Sequence, residues 1–259
     1  MKRLAEHSQY FLRNPGFVAQ LVRKTSISRE DTVYDIGAGS GVIASALAAR
    51  AGKVIAVEYE PITGTKLRDN MARLQNVEVV VGDFLTMELP ATDYKVFSNI
   101  PFHLSSQIVR RLTEADNPPS AIYLIVQKQF AKKLIQSDSH FTGALGMMVG
   151  PLYKVEILRE LRRTDYWPHP NVDTVLLAMT HRAEPLLPSN AMAAYRMLIE
   201  QSFHDPKVFT KLPRAAVGIS PERKPSELTL VQWIELYRLV SASRTSQLQY
   251  NKVRAKNQA

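Results

Sequence analysis

The first two-thirds of this sequence alternates short apolar runs with longer amphipathic stretches, and that alternation decides the fold class. TVYDIG, KVIAVEY, VEVVVGD, YKVFSNI and AIYLIVQ read as strands, with helical stretches at Val42–Ala51, Thr63–Leu74 and Leu104–Ala115 among them. Repetition of strand and helix is the signature of βαβ units and a mainly parallel sheet. YKVEILREL (Tyr153–Leu161) and DTVLLAMTHR (Asp173–Arg182) follow as two more strands with no long helix between them. A connection without a crossover helix points to antiparallel pairing. The expectation is an α/β chain with a doubly wound, mainly parallel, seven-stranded Rossmann-like sheet that ends in an antiparallel pair.

After Arg182 the pattern changes. AEPLLPSN is a linker punctuated by proline, and the rest has helical periodicity without strands, at Ala191–Phe203 and Ser226–Leu239. Residues 1–182 are therefore expected to form one α/β domain and residues 183–259 a small helical one. Its end, SASRTSQLQYNKVRAKNQA, has four basic residues and no acidic one, the composition of a disordered basic tail.

Composition narrows the chemistry. There is no cysteine, which removes disulfides, thiolate nucleophiles and thiolate metal sites. Six histidines show no metal spacing, so no metal is expected. Residues at two positions' distance from Ser40 are Ala38 and Val42, so no G-x-S-x-G elbow supports a serine hydrolase. The start, MKRLAEHSQYFLRN, is basic with no apolar run behind it, and no stretch approaches the ~18 apolar residues of a membrane span. A soluble, cytoplasmic protein is expected. The formal charge of +9 suits a polyanionic partner held through phosphate contacts. Arg110-Arg111, Lys132-Lys133 and Arg162-Arg163 are candidate backbone contacts or solvated faces.

The chemistry gathers where the strands end. DIGAGSG (Asp35–Gly41) follows the first strand, and Gly37, Gly39 and Gly41 allow a tight turn and close approach of a ligand. The dinucleotide pattern G-x-G-x-x-G fails because position 42 is Val. Glu58 ends the second strand, where an acid can accept hydrogen bonds from a ribose diol; Asp83 ends the third, where it can accept from an adenine amine. Each acid alone could equally cap a helix or turn. Together they describe an adenosine pocket at the switch point of the sheet, and the missing third glycine points to S-adenosylmethionine (SAM) rather than NAD.

The fourth strand delivers Asn99-Ile100-Pro101-Phe102 to the same edge. An exocyclic adenine amine is a poor nucleophile, because its lone pair is delocalised into the ring. Two acceptors, the Asn99 side-chain oxygen and the Ile100 carbonyl, would draw that nitrogen toward tetrahedral geometry and free the lone pair. Pro101 fixes the backbone so that the carbonyl points outward. Phe102 offers a face to a base lifted from its stack, an interaction worth roughly 1–3 kcal/mol. An ordinary turn with Phe102 in the core is the bland alternative for the tetrapeptide taken alone. His103 follows as a helix-start residue that could also touch RNA.

These residues carry a family resemblance. HSQYFL (His7–Leu12), DTVYDIGAGSG, Glu58, GDF (Gly82–Phe84), NIPFHLSSQI, IYLIV (Ile122–Val126) and YWPHPNVDT (Tyr166–Thr174) stand in the order seen in the rRNA adenine N6-dimethyltransferase superfamily. VFTK (Val208–Lys211) is a weaker echo. The chain looks most like the Erm enzymes of macrolide–lincosamide–streptogramin B resistance, which modify one adenine of 23S rRNA. The resemblance implies that Gly37, Gly39, Glu58 and Asp83 bind SAM and that Leu12 closes over it. It also implies that Asn99 is catalytic, that Phe102 stacks on the target base and that Tyr166 presses its other face. Tyr10 stands where the family has Asn, so a polar contact to the methionine end of SAM is lost or passes to the Tyr hydroxyl; Phe102 replaces a commoner Tyr. IVQKQFAKKL (Ile125–Leu134) leans toward the housekeeping 16S dimethyltransferases, whereas NIPFHLSSQI and IYLIV lean toward the 23S enzymes. The implied activity is mono- or dimethylation of adenine N6 in 23S rRNA by a monomer acting before full ribosome assembly. The alternatives are a 16S rRNA dimethyltransferase and, from another class, a nucleic-acid-binding factor that keeps the fold without catalysis.

Overall fold

A computed structural model of the chain describes residues 11–12, 14–136 and 142–242. Tyr10, the start of HSQYFL and the basic stretch after residue 242 lie outside them. The described residues fall into two compact units. One takes the chain up to Ala131 together with Lys154–His181; the other takes Lys132–Tyr153 and the chain from Arg182 onward.

The first unit is built on parallel strands. β2 (Thr32–Ile36), β3 (Lys53–Glu58), β4 (Val77–Val81), β5 (Lys95–Asn99) and β6 (Ala121–Gln127) pair in parallel, and β9 (Thr174–His181) runs antiparallel to β6 from Ala121↔Thr180 to Gln127↔Thr174. With β7 (Tyr153–Leu161) at the edge, the order is β4-β3-β2-β5-β6-β9-β7. β6 reads AIYLIVQ with six consecutive buried residues, the near-continuous apolar run of a strand covered on both faces. Burying each Leu, Ile or Val of such a run contributes about 1.5–3 kcal/mol. The sheet is the doubly wound, mainly parallel Rossmann-like one expected.

Helices α2 (Val42–Ala48), α3 (Pro61–Met71) and α4 (Ser105–Thr113) lie where the periodicity puts them, each shorter at its C-terminal end than the sequence suggests. α1 (Pro15–Arg23) is an addition to the sequence reading. Pro15 stands at its first position, the Asn14 side chain accepts from the Phe17 amide at 3.1 Å, and Phe17, Val18, Leu21 and Val22 form its buried face. A separate two-stranded sheet pairs β1 (Phe11–Leu12) antiparallel with β8 (Tyr166–Trp167), Leu12 opposite Tyr166.

The second unit is helical: α5 (Lys128–Leu134) enters it, followed by α6 (Ala144–Val149), α7 (Ser189–His204), α8 (Pro206–Thr210) and α9, residues 230–242. It includes residues 132–153, which the sequence reading assigns to the first domain. Met147 and Met148 of α6 join Met192, Tyr195, Ile199 and Trp233 in one core cluster, and the Tyr195 hydroxyl donates to the Met147 carbonyl at 3.1 Å. α9 begins at 230 rather than 226 because Thr229 and Gln232 form a reciprocal cap at 3.0 and 3.2 Å, while Pro225–Glu227 is a separate 3₁₀ turn. No helix among the described residues is long and apolar enough to cross a membrane.

Candidate active site

The strand order reverses direction between β2 and β5, the place where open α/β sheets bind ligands. The two strands part there. Their ladder registers Val33 with Lys95 and Tyr34 with Val96, and beyond it the Ile36 amide donates to the buried Ser98 hydroxyl at 2.7 Å. A side chain thus replaces the next rung, and the carboxyl ends of β2 and β5 frame a cavity of about 410 Å³.

Glycines shape one wall. Gly37 and Ala38 donate to the Val57 carbonyl at 2.8 and 3.0 Å, folding the turn back over the end of β3. Gly37 has φ +72°, and a Cβ there would lie 3.6 Å from Pro101 Cδ, so the turn and the NIPF loop pass close together. Gly41, with φ +92°, opens α2; a Cβ there would meet Met71 Cε at 2.6 Å.

The strand-end acids complete the polar side. Glu58 is buried, accepting from the Gly39 amide at 2.8 Å and from the Glu60 amide at 3.1 Å through its two carboxylate oxygens. The Gly82 amide donates to the Glu58 carbonyl at 2.9 Å, which brings Asp83 to the next position along the rim. Asp83 accepts from the Leu85 amide at 2.8 Å, so it does cap its own turn while lining the cavity. Beneath them Asp35 is fully buried with no hydrogen-bond partner on either carboxyl oxygen. Burial first, and the Glu58 charge second, push it up to about 8.

Asn99, Ile100, Pro101, Phe102 and His103 form the facing wall. Asn99 and Gly37 also border a second cavity of about 30 Å³ with Leu12, so Asn99 stands where the two spaces meet. After Asn99 the chain turns at Pro101 (φ −58°, ψ 124°) into a 3₁₀ turn over Phe102–Leu104, and the Ser105 hydroxyl donates to the Phe102 carbonyl at 2.9 Å.

The structure therefore brings Gly37, Gly39, Glu58, Asp83 and Asn99–Phe102 around one cavity and Leu12 to the adjoining one. Tyr166 it brings to neither. Its ring is fully buried in the core, burial pushes its phenol up, and its hydroxyl is bonded to Thr174 Oγ1 at 2.8 Å. Arg110 and Arg111 also serve the fold. Arg110 pairs with Glu114 at 3.4 Å, while Arg111 donates to the Met87 carbonyl and lies 5.8 Å from the Phe84 ring centroid. Tyr59, 73% exposed at the cavity rim, and Leu85 and Ile108 in its wall were missed by sequence reasoning. The signal for Tyr59 was its place directly after a strand-end acid.

The arrangement fits an adenosine-bearing cofactor: a space of small-molecule size, a glycine backbone on one side, carboxylates at two successive strand ends and apolar walls. No group of three or more potential metal ligands occurs among the described residues. Such a pocket at the switch point of a seven-stranded sheet defines a nucleoside-cofactor enzyme of the Rossmann-like methyltransferase class. Comparison with known proteins makes the assignment specific. The family model described as ribosomal RNA adenine dimethylase matches residues 2–214, and the chain belongs to that family. Relatives that it matches are named rRNA adenine N-6-methyltransferases.

The chain is 31% identical over 198 residues to an rRNA adenine N-6-methyltransferase of Saccharopolyspora erythraea; the match covers 76% of this chain and 51% of that one, so it spans about half that relative's length. It is 32% identical over 184 residues to a Methanopyrus kandleri protein named "Probable ribosomal RNA small subunit methyltransferase A", covering 71% and 64%. Among solved structures it resembles the 23S rRNA methyltransferase ErmE, with TM-score 0.75 and 28% identity over 88% of this chain and 98% of that one.

Proposed function

We propose that this protein methylates N6 of an adenine in 23S rRNA and so confers macrolide-type resistance, acting as a cytoplasmic monomer. The observation that carries the 23S reading is the likeness to the 23S rRNA methyltransferase ErmE, which extends over 98% of that chain. The NIPFHLSSQI sequence of the wall that holds Asn99 supports it too.

In this reading Glu58 accepts from the ribose hydroxyls of SAM and Asp83 from its adenine amine, with the Gly37–Gly39 backbone and Leu12 beside the methionine end. When bound, SAM supplies an electrophilic methyl on a sulfonium. The chain's own part is to present the nucleophile. The Asn99 side-chain oxygen and the Ile100 carbonyl accept from the target N6 amine and localise its lone pair. Pro101 holds the carbonyl outward, and Phe102 stacks on the extruded base. The amine proton passes to solvent, so no strong general base is needed. Tyr10 lies outside the described residues, and its contact to the cofactor belongs to the same proposal.

The second reading, 16S rRNA dimethylation, is favoured by IVQKQFAKKL and by the archaeal relative named for the small subunit. Transfer of radiolabelled methyl to purified 23S and 16S rRNA, with Asn99→Ala as control, separates the two. Label in 23S alone, with macrolide tolerance in cells expressing the protein, is the expected result. Label in 16S alone overturns it.

A further inference from the structure

Strand alternation sends Tyr166 inward and its neighbour Trp167 outward. Trp167 is 49% exposed. It is held in place. The His169 ring meets it edge-on, at 5.9 Å between centroids and 84° between planes, and His169 Nδ1 lies 2.9 Å from the Arg163 carbonyl. Arg163 is fixed in turn by its ion pair with Asp173 at 3.1 Å. Arg162 and Arg163, both exposed, precede the indole on the same turn.

The position of this corner follows from register. Tyr166 pairs with Leu12, and Leu12 borders the small cavity with Asn99. Trp167 is one strand spacing and one residue from Leu12, on the order of 6 Å along the backbone. An exposed aromatic braced by His169, with Arg162 and the Asp173-paired Arg163 preceding it on the same turn, has the chemistry that takes an unpaired nucleotide: π-stacking for the base and positive charge nearby for its phosphate.

We propose that Trp167, rather than the buried Tyr166, is the stacking platform for an unpaired nucleotide next to the target adenine, and that this contact contributes to RNA selection. The proposal rests on the RNA-methylation reading. Loss of a stack made equally in ground and transition states raises KM and leaves kcat alone.

The test has two arms. In methylation of purified rRNA, Trp167→Ala is expected to raise KM for RNA roughly 5- to 100-fold with kcat and SAM affinity unchanged, and Trp167→Phe to recover most of the loss. Unchanged KM, or a loss shared with SAM affinity and melting temperature, overturns the platform. The second arm needs no turnover. The chain has two tryptophans, and Trp233 is fully buried, so quenching by added RNA reports on Trp167. A single-stranded oligoribonucleotide should quench more than the same strand in a duplex; equal or absent quenching overturns the proposal even if no rRNA accepts methyl.

Discussion

The Gly39 amide donates to a Glu58 carboxylate oxygen across 2.8 Å, tying the turn after β2 to the end of β3. The other oxygen accepts from Glu60 at 3.1 Å, so the carboxylate is aligned by two backbone donors. Each oxygen retains capacity for a further donor such as a ribose hydroxyl.

Glu58→Ala should therefore cost twice, removing a charged acceptor for the cofactor and releasing the glycine turn. With each charge-assisted bond worth about 1.5–3 kcal/mol, SAM affinity is expected to fall about 10- to 100-fold or more by calorimetric titration. Glu58→Gln should lie between. An unaltered affinity in Glu58→Ala would refute the ribose contact.

Asn99→Ala should remove one of two acceptors aimed at the reacting amine. Loss of one preorganised polar group of this kind costs about 10²–10³ in kcat, so single-turnover methyl transfer should slow by that much while filter-retained RNA binding holds. Turnover at the wild-type rate would show that Asn99 lines the cavity without a part in the chemistry.

Gly41→Ala tests the turn itself. A non-glycine residue at φ +92° costs on the order of 1–3 kcal/mol, and its Cβ would crowd Met71 Cε at 2.6 Å and Leu67 Cδ1 at 2.8 Å. Melting temperature should drop by about 3–10 °C. Adding Met71→Ala should remove the Met71 share of the crowding but neither the Leu67 contact nor the backbone cost. A stable Gly41→Ala protein would mean that the turn adopts another conformation.

Asp35 gives a pH signature. Folded, it keeps its proton to about 8; unfolded, it loses it near the ordinary value of 3.8. Between these values the folded state binds more protons, so this group's contribution falls as pH rises through the window and is level above it. Asp35→Asn carries a neutral group throughout. Its melting temperature should exceed that of the wild type by a margin that widens toward pH 8, and parallel curves for the two proteins would exclude the buried neutral acid.

Much of this site is legible in the chain because its pieces are local. A glycine turn, an acid at a strand's last residue and Asn-Ile-Pro-Phe are each fixed by neighbours in sequence, and Glu58, Asp83 and Asn99 duly line one cavity. Tyr166 and Trp167 are the counterexample. Adjacent aromatics on a strand point to opposite faces, and a motif match does not say which face is the core.

The sequence by itself determined the strand and helix alternation, the parallel sheet and the four strand ends that carry polar residues, because periodicity and adjacency are written in single residues. Only the tertiary structure decided how those ends meet. It parted β2 from β5 at Ser98, buried Asp35 beside Glu58, turned Tyr166 inward and Trp167 outward, and gave the methionines of α6 to the helical unit. Each of these depends on pairing between residues distant in the chain, whose energies are set by what packs opposite them rather than by what precedes them.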